Sequence, residues 1–200
     1  MSTASPAVTP AAGSVLADLL PASSVTRARL RDAALVLGGA ALTGLAAQLS
    51  VPVPGSPVPV TGQTFAALLV GTALGTRRGV AALGLYAAAG VAGMPWFAEG
   101  SSGWSMPSFG YILGMLVASG VVGALARRGG DRTVLRTAGV MVIGSLIIYA
   151  IGVPYLAHSA HLSASQALSL GLKPYLLGDA LKAALAMGAL PAAWRLAGHK

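Results

Sequence analysis

Residues 107–126 read Pro-Ser-Phe-Gly-Tyr-Ile-Leu-Gly-Met-Leu-Val-Ala-Ser-Gly-Val-Val-Gly-Ala-Leu-Ala, without a charged side chain, and Arg127 and Arg128 follow directly. A helix needs about 20 predominantly apolar residues to cross the hydrocarbon core of a bilayer, so this stretch is long enough. The whole chain has the same character, because 55% of its 200 residues are hydrophobic and only 9% are charged. A soluble domain carries about 25% charged residues. The sequence therefore predicts an all-α integral membrane protein.

Similar stretches with few charges recur along the chain and predict a bundle of six transmembrane helices. The second and third stretches are shorter than the ~17 residues that a crossing usually needs. We therefore expect one of them to be tilted, kinked or partly buried within the bundle. The six predicted spans cover about residues 32–50, 63–76, 79–94, 107–126, 134–157 and 174–196.

The basic residues lie in short clusters between these spans. With six crossings all clusters fall on one side of the membrane, while the opposite loops, 51–62, 95–106 and 158–173, contain no arginine and only Lys173. The positive-inside rule then predicts a multi-pass protein of the plasma membrane with both termini in the cytoplasm. The net charge of +8 does not favour nucleic-acid binding, which needs one solvated basic face. The clusters are Arg27, Arg29 and Arg31; Arg77 and Arg78; Arg127, Arg128, Arg132 and Arg136; and Arg195 with Lys200.

Composition divides the chain into two parts. Residues 1–26 are rich in Ala, Ser, Pro and Thr and are predicted to form a disordered cytoplasmic tail. Residues 27–200 are predicted to form the six-helix membrane domain that binds a substrate. No metal site is expected, because the chain has no cysteine and His158 and His161 stand without nearby carboxylates. There is also no nucleotide-binding motif for ATP hydrolysis by this chain itself.

Two of the loops opposite the basic clusters have distinct chemistry. The first, residues 51–60, reads Val-Pro-Val-Pro-Gly-Ser-Pro-Val-Pro-Val, and its four prolines predict an extended, stiff segment. The second contains Trp96, Phe97 and Trp104 among glycines. This second pattern is typical of a lid over a ligand, but an aromatic belt at the membrane interface has the same composition.

One carboxylate lies within an apolar span. Asp179 is followed by Lys182 at i+3, which places both side chains on one helix face. Ionisable groups inside a span are costly and normally mark a substrate or ion path. The pair could be a neutralised structural contact, part of a proton relay, or the polar end of a ligand pocket. We favour the pocket, in which the carboxylate accepts hydrogen bonds from N–H groups and the ammonium donates to an oxygen.

Three further residues near span ends are candidates for ligand contacts. Gln63, at the start of the second span, can donate and accept hydrogen bonds, although it could equally cap a helix. Gly110 and Tyr111, near the start of the fourth span, could bring backbone and a hydroxyl close to a ligand. Helix packing through small residues is the alternative explanation for the glycine.

Three segments, in order along the chain, together resemble one family. Residues 58–64, Val-Pro-Val-Thr-Gly-Gln-Thr, resemble the P-V-P-[IV]-T-x-Q-T signature of BioY, the biotin-binding substrate component of energy-coupling-factor (ECF) transporters. Residues 108–114 are similar to the G-G-Y-L-x-G segment of that family, and residues 175–182 to its P-[FY]-x-P-G-D-x-x-K segment. The resemblance extends from about residue 31 to residue 193.

The resemblance implies a non-catalytic subunit that captures biotin from outside, without a cofactor. It would work with the ECF coupling transmembrane subunit and two ATPase subunits. Asp179 would accept from the ureido N–H groups of biotin, and Lys182 would donate to a ligand oxygen. The other implied ligand contacts are Tyr111, Gly110 and Gln63, with Phe97 and Trp104 as an apolar lid. The small residues Ala34, Gly38, Ala40 and Gly44 on the first helix would contact the coupling subunit.

Other functions remain open at this point. The same architecture could serve thiamin or riboflavin, although those ligands would favour more aromatic residues in the pocket. An intramembrane enzyme acting on lipids or isoprenoids usually needs several converging acidic or histidine residues, and this chain has one embedded carboxylate. A structural scaffold would need neither Asp179 nor Lys182.

Overall fold

The computed structural model describes residues 13–198 and shows seven α-helices and one two-stranded sheet in that range. Six of these helices form the bundle, and the short helix α6 precedes the last of them. The predicted all-α architecture of six membrane helices is therefore confirmed. The helices are α1 (Val25–Gln48), α2 (Gln63–Leu74), α3 (Thr76–Val91), α4 (Phe109–Arg127), α5 (Val134–Ser159), α6 (Ala164–Gly171) and α7 (Leu176–Gly198).

The helices differ in their ability to cross a bilayer. Four segments are long and apolar enough, namely α1, α4, α5 and Ala164–Ala197, which contains α6 and all but the last residue of α7. In contrast, α2 and α3 have only 12 and 16 residues, and at 1.5 Å per residue they are about 18 and 24 Å long. Gly75 separates them with a φ of 79°, a conformation that favours glycine. The two short predicted spans are thus two short helices joined by an abrupt turn.

Helix α4 lies at the centre of the bundle, where it packs against α2, α3 and α5. From Ile112 onward its buried apolar side chains recur every three or four residues, as expected for one continuous helix face. Because lipid is as apolar as the core, packing in the membrane depends on close van der Waals contact and small residues. The buried apolar residues of α4 are Tyr111, Ile112, Met115, Ala118, Val122 and Ala126.

The basic clusters meet at one end of the bundle, formed by the starts of α1, α3 and α5 and the ends of α4 and α7, which we call the Arg-rich end. Arg78 Nη1 lies 2.7 Å from Asp18 Oδ1, and its Nε lies 3.0 Å from Asp32 Oδ1. At the same end, the Trp194 indole donates a 2.7 Å hydrogen bond to the buried carboxylate of Asp131. These contacts place the arginines of the predicted cytoplasmic clusters on a common side, whereas Lys200 lies outside the described residues.

The segment before α1 differs from the prediction of a disordered tail. Residues 1–12 lie outside the described residues, but residues 13–24 are folded against the Arg-rich end. Val15 is fully buried, and a short 3-10 helix, Leu16–Leu19, places Asp18 beside Arg78. The prediction of disorder was wrong for these residues, because composition could not show that one apolar side chain and one carboxylate find partners on the bundle.

The Pro-rich loop lies at the opposite end of the bundle. Strand β1 (Ser50–Val51) pairs antiparallel with β2 (Val60–Thr61) and closes the base of the loop. Between these strands a turn at Pro54 and Gly55 reverses the chain, so the loop is irregular and not extended throughout as predicted; Gly55 permits the turn with a φ of 79°. Tyr175, just before α7, fixes its far side by donating a 2.5 Å hydrogen bond to the carbonyl of Val58.

Candidate ligand-binding site

A cavity opens between α2, α4, α5 and α7 beneath the Pro-rich loop. The cavity volume is about 30 Å³, and the surrounding empty space, which includes the opening to solvent, is about 460 Å³. Val58 and Pro59 of the loop cover one side, and the rings of Tyr111 and Tyr175 with Ile148 supply apolar wall. The polar side chains that line the cavity include Gln63, Thr64, Ser145, Tyr149, Asp179 and Lys182.

Asp179 and Lys182 form the charged end of this cavity. Lys182 Nζ lies 3.1 Å from Asp179 Oδ1 and also donates a 2.8 Å hydrogen bond to Thr64 Oγ1 on α2. The Tyr149 hydroxyl on α5 donates to the other carboxylate oxygen of Asp179. The cluster therefore joins three helices and pairs both charges. The side chains of Asp179 and Lys182 remain 16% and 19% exposed, so both charges are still accessible.

The position of Asp179 in α7 lowers the cost of a carboxylate at this depth. The sequence pattern placed Asp179 inside an apolar helix, whereas the structure places it in the first turn of α7. The partial positive charge at a helix N-terminus stabilises a nearby anion. The fold thus offers a carboxylate that accepts hydrogen bonds and an ammonium that donates them, one helical turn apart.

Gln63 presents a hydrogen-bond donor to the cavity. The buried Tyr86 hydroxyl donates a 2.8 Å hydrogen bond to Gln63 Oε1. A glutamine amide carries one acceptor oxygen and two N–H donors. Because Tyr86 engages the oxygen, the amide N–H groups are available to an acceptor on a ligand.

Tyr111 lines the cavity mainly with its ring. Its hydroxyl donates a 2.7 Å hydrogen bond to the carbonyl of Gly171, so it anchors the end of α6. The ring stands edge-on to that of Tyr149, with centroids 6.4 Å apart and an interplanar angle of 88°. The two rings form an apolar corner beside the charged cluster.

Three predicted ligand contacts do not line the cavity. Gly110 faces α5, where a Cβ would collide with the side chain of Tyr155. Phe97 is fully buried and packs edge-on against Tyr86, with ring centroids 5.2 Å apart. Trp104 is 67% exposed, and its backbone carbonyl accepts a hydrogen bond from the Tyr155 hydroxyl. The structure therefore places the cover over the cavity in the Pro-rich loop and anchors the aromatic loop elsewhere.

Several cavity residues were missed by sequence reasoning. Thr64 directly follows Gln63, and Ser145 and Tyr149 have i, i+4 spacing in α5, which is a weak polar stripe in an apolar helix. Tyr175 belongs to the motif around Asp179. Their involvement depends on which faces of α2, α5 and α7 meet.

The small residues of α1 fall into two groups. Ala34 and Gly38 line an apolar groove between α1 and α2 and are exposed. Ala40 and Gly44 are buried, and a Cβ on Gly44 would lie 2.9 Å from the ring of Trp96. Of these four predicted contact residues, only the first pair is therefore accessible to a partner.

Comparison with known proteins connects this geometry to a family. Residues 21–199 match the BioY family. The chain belongs to the BioY family. It is 33% identical over 162 residues to the probable biotin transporter BioY of Pyrococcus horikoshii, covering 80% of this chain and 93% of that protein. It is 34% identical over 160 residues to the biotin transporter BioY2 of Lactococcus lactis subsp. cremoris, covering 78% and 86%.

The fold agrees with a solved structure of the same kind. The crystal structure of the S-component for biotin from an ECF-type ABC transporter superposes with a TM-score of 0.77. The alignment covers 86% of this chain and 95% of that chain at 19% identity. The resemblance stated from the three motifs is confirmed, and the BioY assignment makes the chain a multi-pass membrane transport protein rather than an enzyme. The individual contacts with a ligand stay predictions.

Proposed function

We propose that this chain is the biotin-binding subunit of an ECF-type transporter and that the cavity beneath the Pro-rich loop holds biotin. The observation that carries the proposal is the cluster of Asp179, Lys182, Tyr149 and Thr64 at one end of an otherwise largely apolar cavity. Biotin has the matching character, because a polar ureido ring and a carboxylate flank apolar carbon and sulfur.

The proposed contacts follow from the hydrogen-bonding capacity of each group. A carboxylate has about four acceptor sites, so Asp179 can accept from the ureido N–H groups while it keeps its contacts with Tyr149 and Lys182. Lys182 Nζ has a third donor beyond those used for Asp179 and Thr64, and this donor reaches a ligand oxygen. The amide of Gln63 donates to a second acceptor.

The orientation and the partners form part of the same proposal. The common position of the arginine clusters supports a cytoplasmic Arg-rich end with both termini inside and the Pro-rich loop outside. Ala34 and Gly38 offer a surface of small residues for close helix contact with the ECF coupling subunit, which links the chain to two ATPase subunits. Biotin would enter from the side of the Pro-rich loop.

Equilibrium binding of biotin to the purified protein tests the site. Asp179→Asn and Lys182→Ala each remove a charge-assisted hydrogen bond worth about 1.5–3 kcal/mol, so each variant should bind roughly 10- to 100-fold more weakly. Glu99→Gln and Lys173→Ala are matched controls, because both residues are exposed outside the cavity. The controls should bind like the unmodified protein.

The outcomes separate the ligand from the site. Absence of binding at micromolar biotin, with thiamin or riboflavin binding instead, would assign the cavity to another vitamin. Normal biotin binding by both cavity variants would leave the ligand in place but refute the assigned residues. Equal losses in the control variants would indicate a general electrostatic effect instead of contact with the ligand.

A further inference from the structure

A second concave surface lies at the Arg-rich end, between the start of α3 and the end of α4. Its empty volume is about 930 Å³, including its opening to solvent. None of its lining residues contributes to the cavity beneath the Pro-rich loop. The lining residues are Thr76, Arg77, Ala124, Arg127 and Arg128.

The three arginines around this concavity are not equally neutralised. Arg127 donates a 3.0 Å hydrogen bond to the carbonyl of Gly13 and lies 3.5 Å from Asp18. Among residues 13–198, the side chains of Arg77 and Arg128 form no hydrogen bond or ion pair, and both residues are exposed. No acidic side chain lines the concavity. It therefore holds positive charge that the described part of the protein does not compensate.

The concavity has a rigid floor where α3 crosses α4. Gly123 faces the backbone of Thr76 so closely that a Cβ would collide with the Thr76 nitrogen. The Thr76 hydroxyl is already satisfied by a 3.0 Å hydrogen bond to the carbonyl of Gly120. The floor thus fixes the spacing of the two helices. The guanidinium groups of Arg77 and Arg128 are the groups that remain available to bind a ligand.

Apolar side chains continue from the arginines along the outer faces of the same helices. Val80 lies three residues after Arg77 on α3, and Val121 and Val117 lie seven and eleven residues before Arg128 on α4. These valines are 38%, 37% and 49% exposed. A charged concavity that continues into an apolar strip facing lipid matches a molecule with an anionic head and an apolar tail.

We propose that this concavity binds the headgroup phosphate of an anionic phospholipid in the leaflet at the Arg-rich end, with one acyl chain against Val80 and Val121. Guanidinium groups match phosphate through paired N–H donors, and Arg77 in α3 and Arg128 directly after α4 supply them. Basic pockets between membrane helices are suited to such headgroups. The site is independent of biotin, so its failure would leave the proposed function untouched.

Lipid retention by the purified protein, measured by native mass spectrometry, tests this proposal. The protein is exchanged into mixed micelles that contain phosphatidylglycerol or phosphatidylcholine with the same acyl chains. We expect selective retention of phosphatidylglycerol and a loss of apparent affinity in Arg77→Gln/Arg128→Gln on the order of fivefold per arginine. Millimolar inorganic phosphate should not displace the lipid, since a free anion lacks the apolar contacts.

Two further variants make the result specific. Arg29→Gln/Arg136→Gln removes two exposed arginines outside the concavity and should retain phosphatidylglycerol normally. Ala124→Trp keeps every charge but fills the concavity, and it should lose selectivity like the double variant. Biotin binding and thermal unfolding confirm that each variant is folded.

Four results would overturn the proposal. The first is equal retention of both lipids, and the second is an equal loss of lipid affinity in Arg29→Gln/Arg136→Gln. The third is complete displacement of the lipid by phosphate, which would indicate a site for a free anion. The fourth is unchanged lipid retention in Arg77→Gln/Arg128→Gln together with lost assembly with the coupling subunit, which would assign the concavity to an acidic protein segment.

Discussion

Lys182 Nζ lies 2.8 Å from Thr64 Oγ1, so a side chain of α7 contacts a side chain of α2 that precedes it by 118 residues. The same ammonium lies 3.1 Å from Asp179 Oδ1. Thr64 therefore holds the Lys182 ammonium at the cavity, so that the ammonium does not contact Asp179 alone. The consequence is a charged group in the membrane that is both stabilised and accessible to a ligand.

Thr64→Val should weaken biotin binding less than Lys182→Ala. The substitution removes one hydrogen bond, worth about 0.5–1.5 kcal/mol, but leaves the ammonium in the cavity. We expect a loss of affinity of roughly 2- to 12-fold by equilibrium titration. A loss as large as that of Lys182→Ala would show instead that Thr64 contacts the ligand itself.

Tyr175→Phe should accelerate the release of biotin. The Tyr175 hydroxyl donates to the carbonyl of Val58 and lies 3.1 Å from Ser56 Oγ, so it fastens the loop that covers the cavity. Loss of this hydrogen bond, worth about 0.5–1.5 kcal/mol, should raise the dissociation rate roughly 2- to 12-fold. Stopped-flow measurements should show a nearly unchanged association rate, and an unchanged dissociation rate would mean that the loop does not retain the ligand.

Asp18→Asn should destabilise the protein at neutral pH but not in strong acid. Burial disfavours the charged form of Asp18, yet hydrogen bonds from Arg78 and the Val15 N–H, with the charges of Arg78 and Arg127, lower its pKa below 3.8. Because the folded pKa is lowered, the carboxylate stabilises the folded state above pH ~4, and this contribution is lost as the pH falls through the folded pKa.

Thermal unfolding in detergent micelles measures this effect. The pair is partly exposed, so its contribution is on the order of 1 kcal/mol, which corresponds to a melting temperature lower by about 2–4 °C. Arg29→Gln, a change of one exposed charge at the same end, should not alter the unfolding temperature. A difference between Asp18→Asn and the unmodified protein that persists once the pH has fallen below the folded pKa of Asp18 would contradict the electrostatic explanation.

Trp194→Phe should destabilise the Arg-rich end. The indole N–H donates to the fully buried Asp131, and the guanidinium of Arg132 stacks 3.5 Å above the indole ring. Burial already raises the pKa of Asp131 despite the hydrogen bond from Trp194 and the charge of Arg132. Removal of the donor leaves a buried acceptor less satisfied, at a cost of about 1–3 kcal/mol.

Thermal unfolding of two tryptophan variants tests the cost. Trp194→Phe should lower the melting temperature by about 2–12 °C. Trp104→Phe is the matched control, because Trp104 is exposed and only its backbone carbonyl accepts a hydrogen bond from Tyr155. Equal melting temperatures for the two variants would mean that the contact with Asp131 contributes little.

The sequence predicted the elements of the site better than their surroundings. Asp179 and Lys182 stood out because a charged pair in an apolar span has few explanations, and Gln63 and Tyr111 also line the cavity. Phe97 and Trp104 were predicted from composition, but burial of Phe97 against Tyr86 and exposure of Trp104 depend on how the loop returns to α3. Loop composition indicates chemistry and does not specify which surface the loop covers.

The sequence by itself determined the membrane environment, the number of bundle helices, the clustering of arginines on one side and the charged pair at i+3. These properties follow from apolar length and charge spacing, which are local along the chain. Only the tertiary structure decided that Thr64, Tyr149 and Tyr175 join Asp179, that the Pro-rich loop covers the cavity, and that residues 13–24 fold against the bundle. These relationships join residues far apart in the chain and arise from the rotation and crossing of packed helices, which hydropathy and charge spacing do not specify.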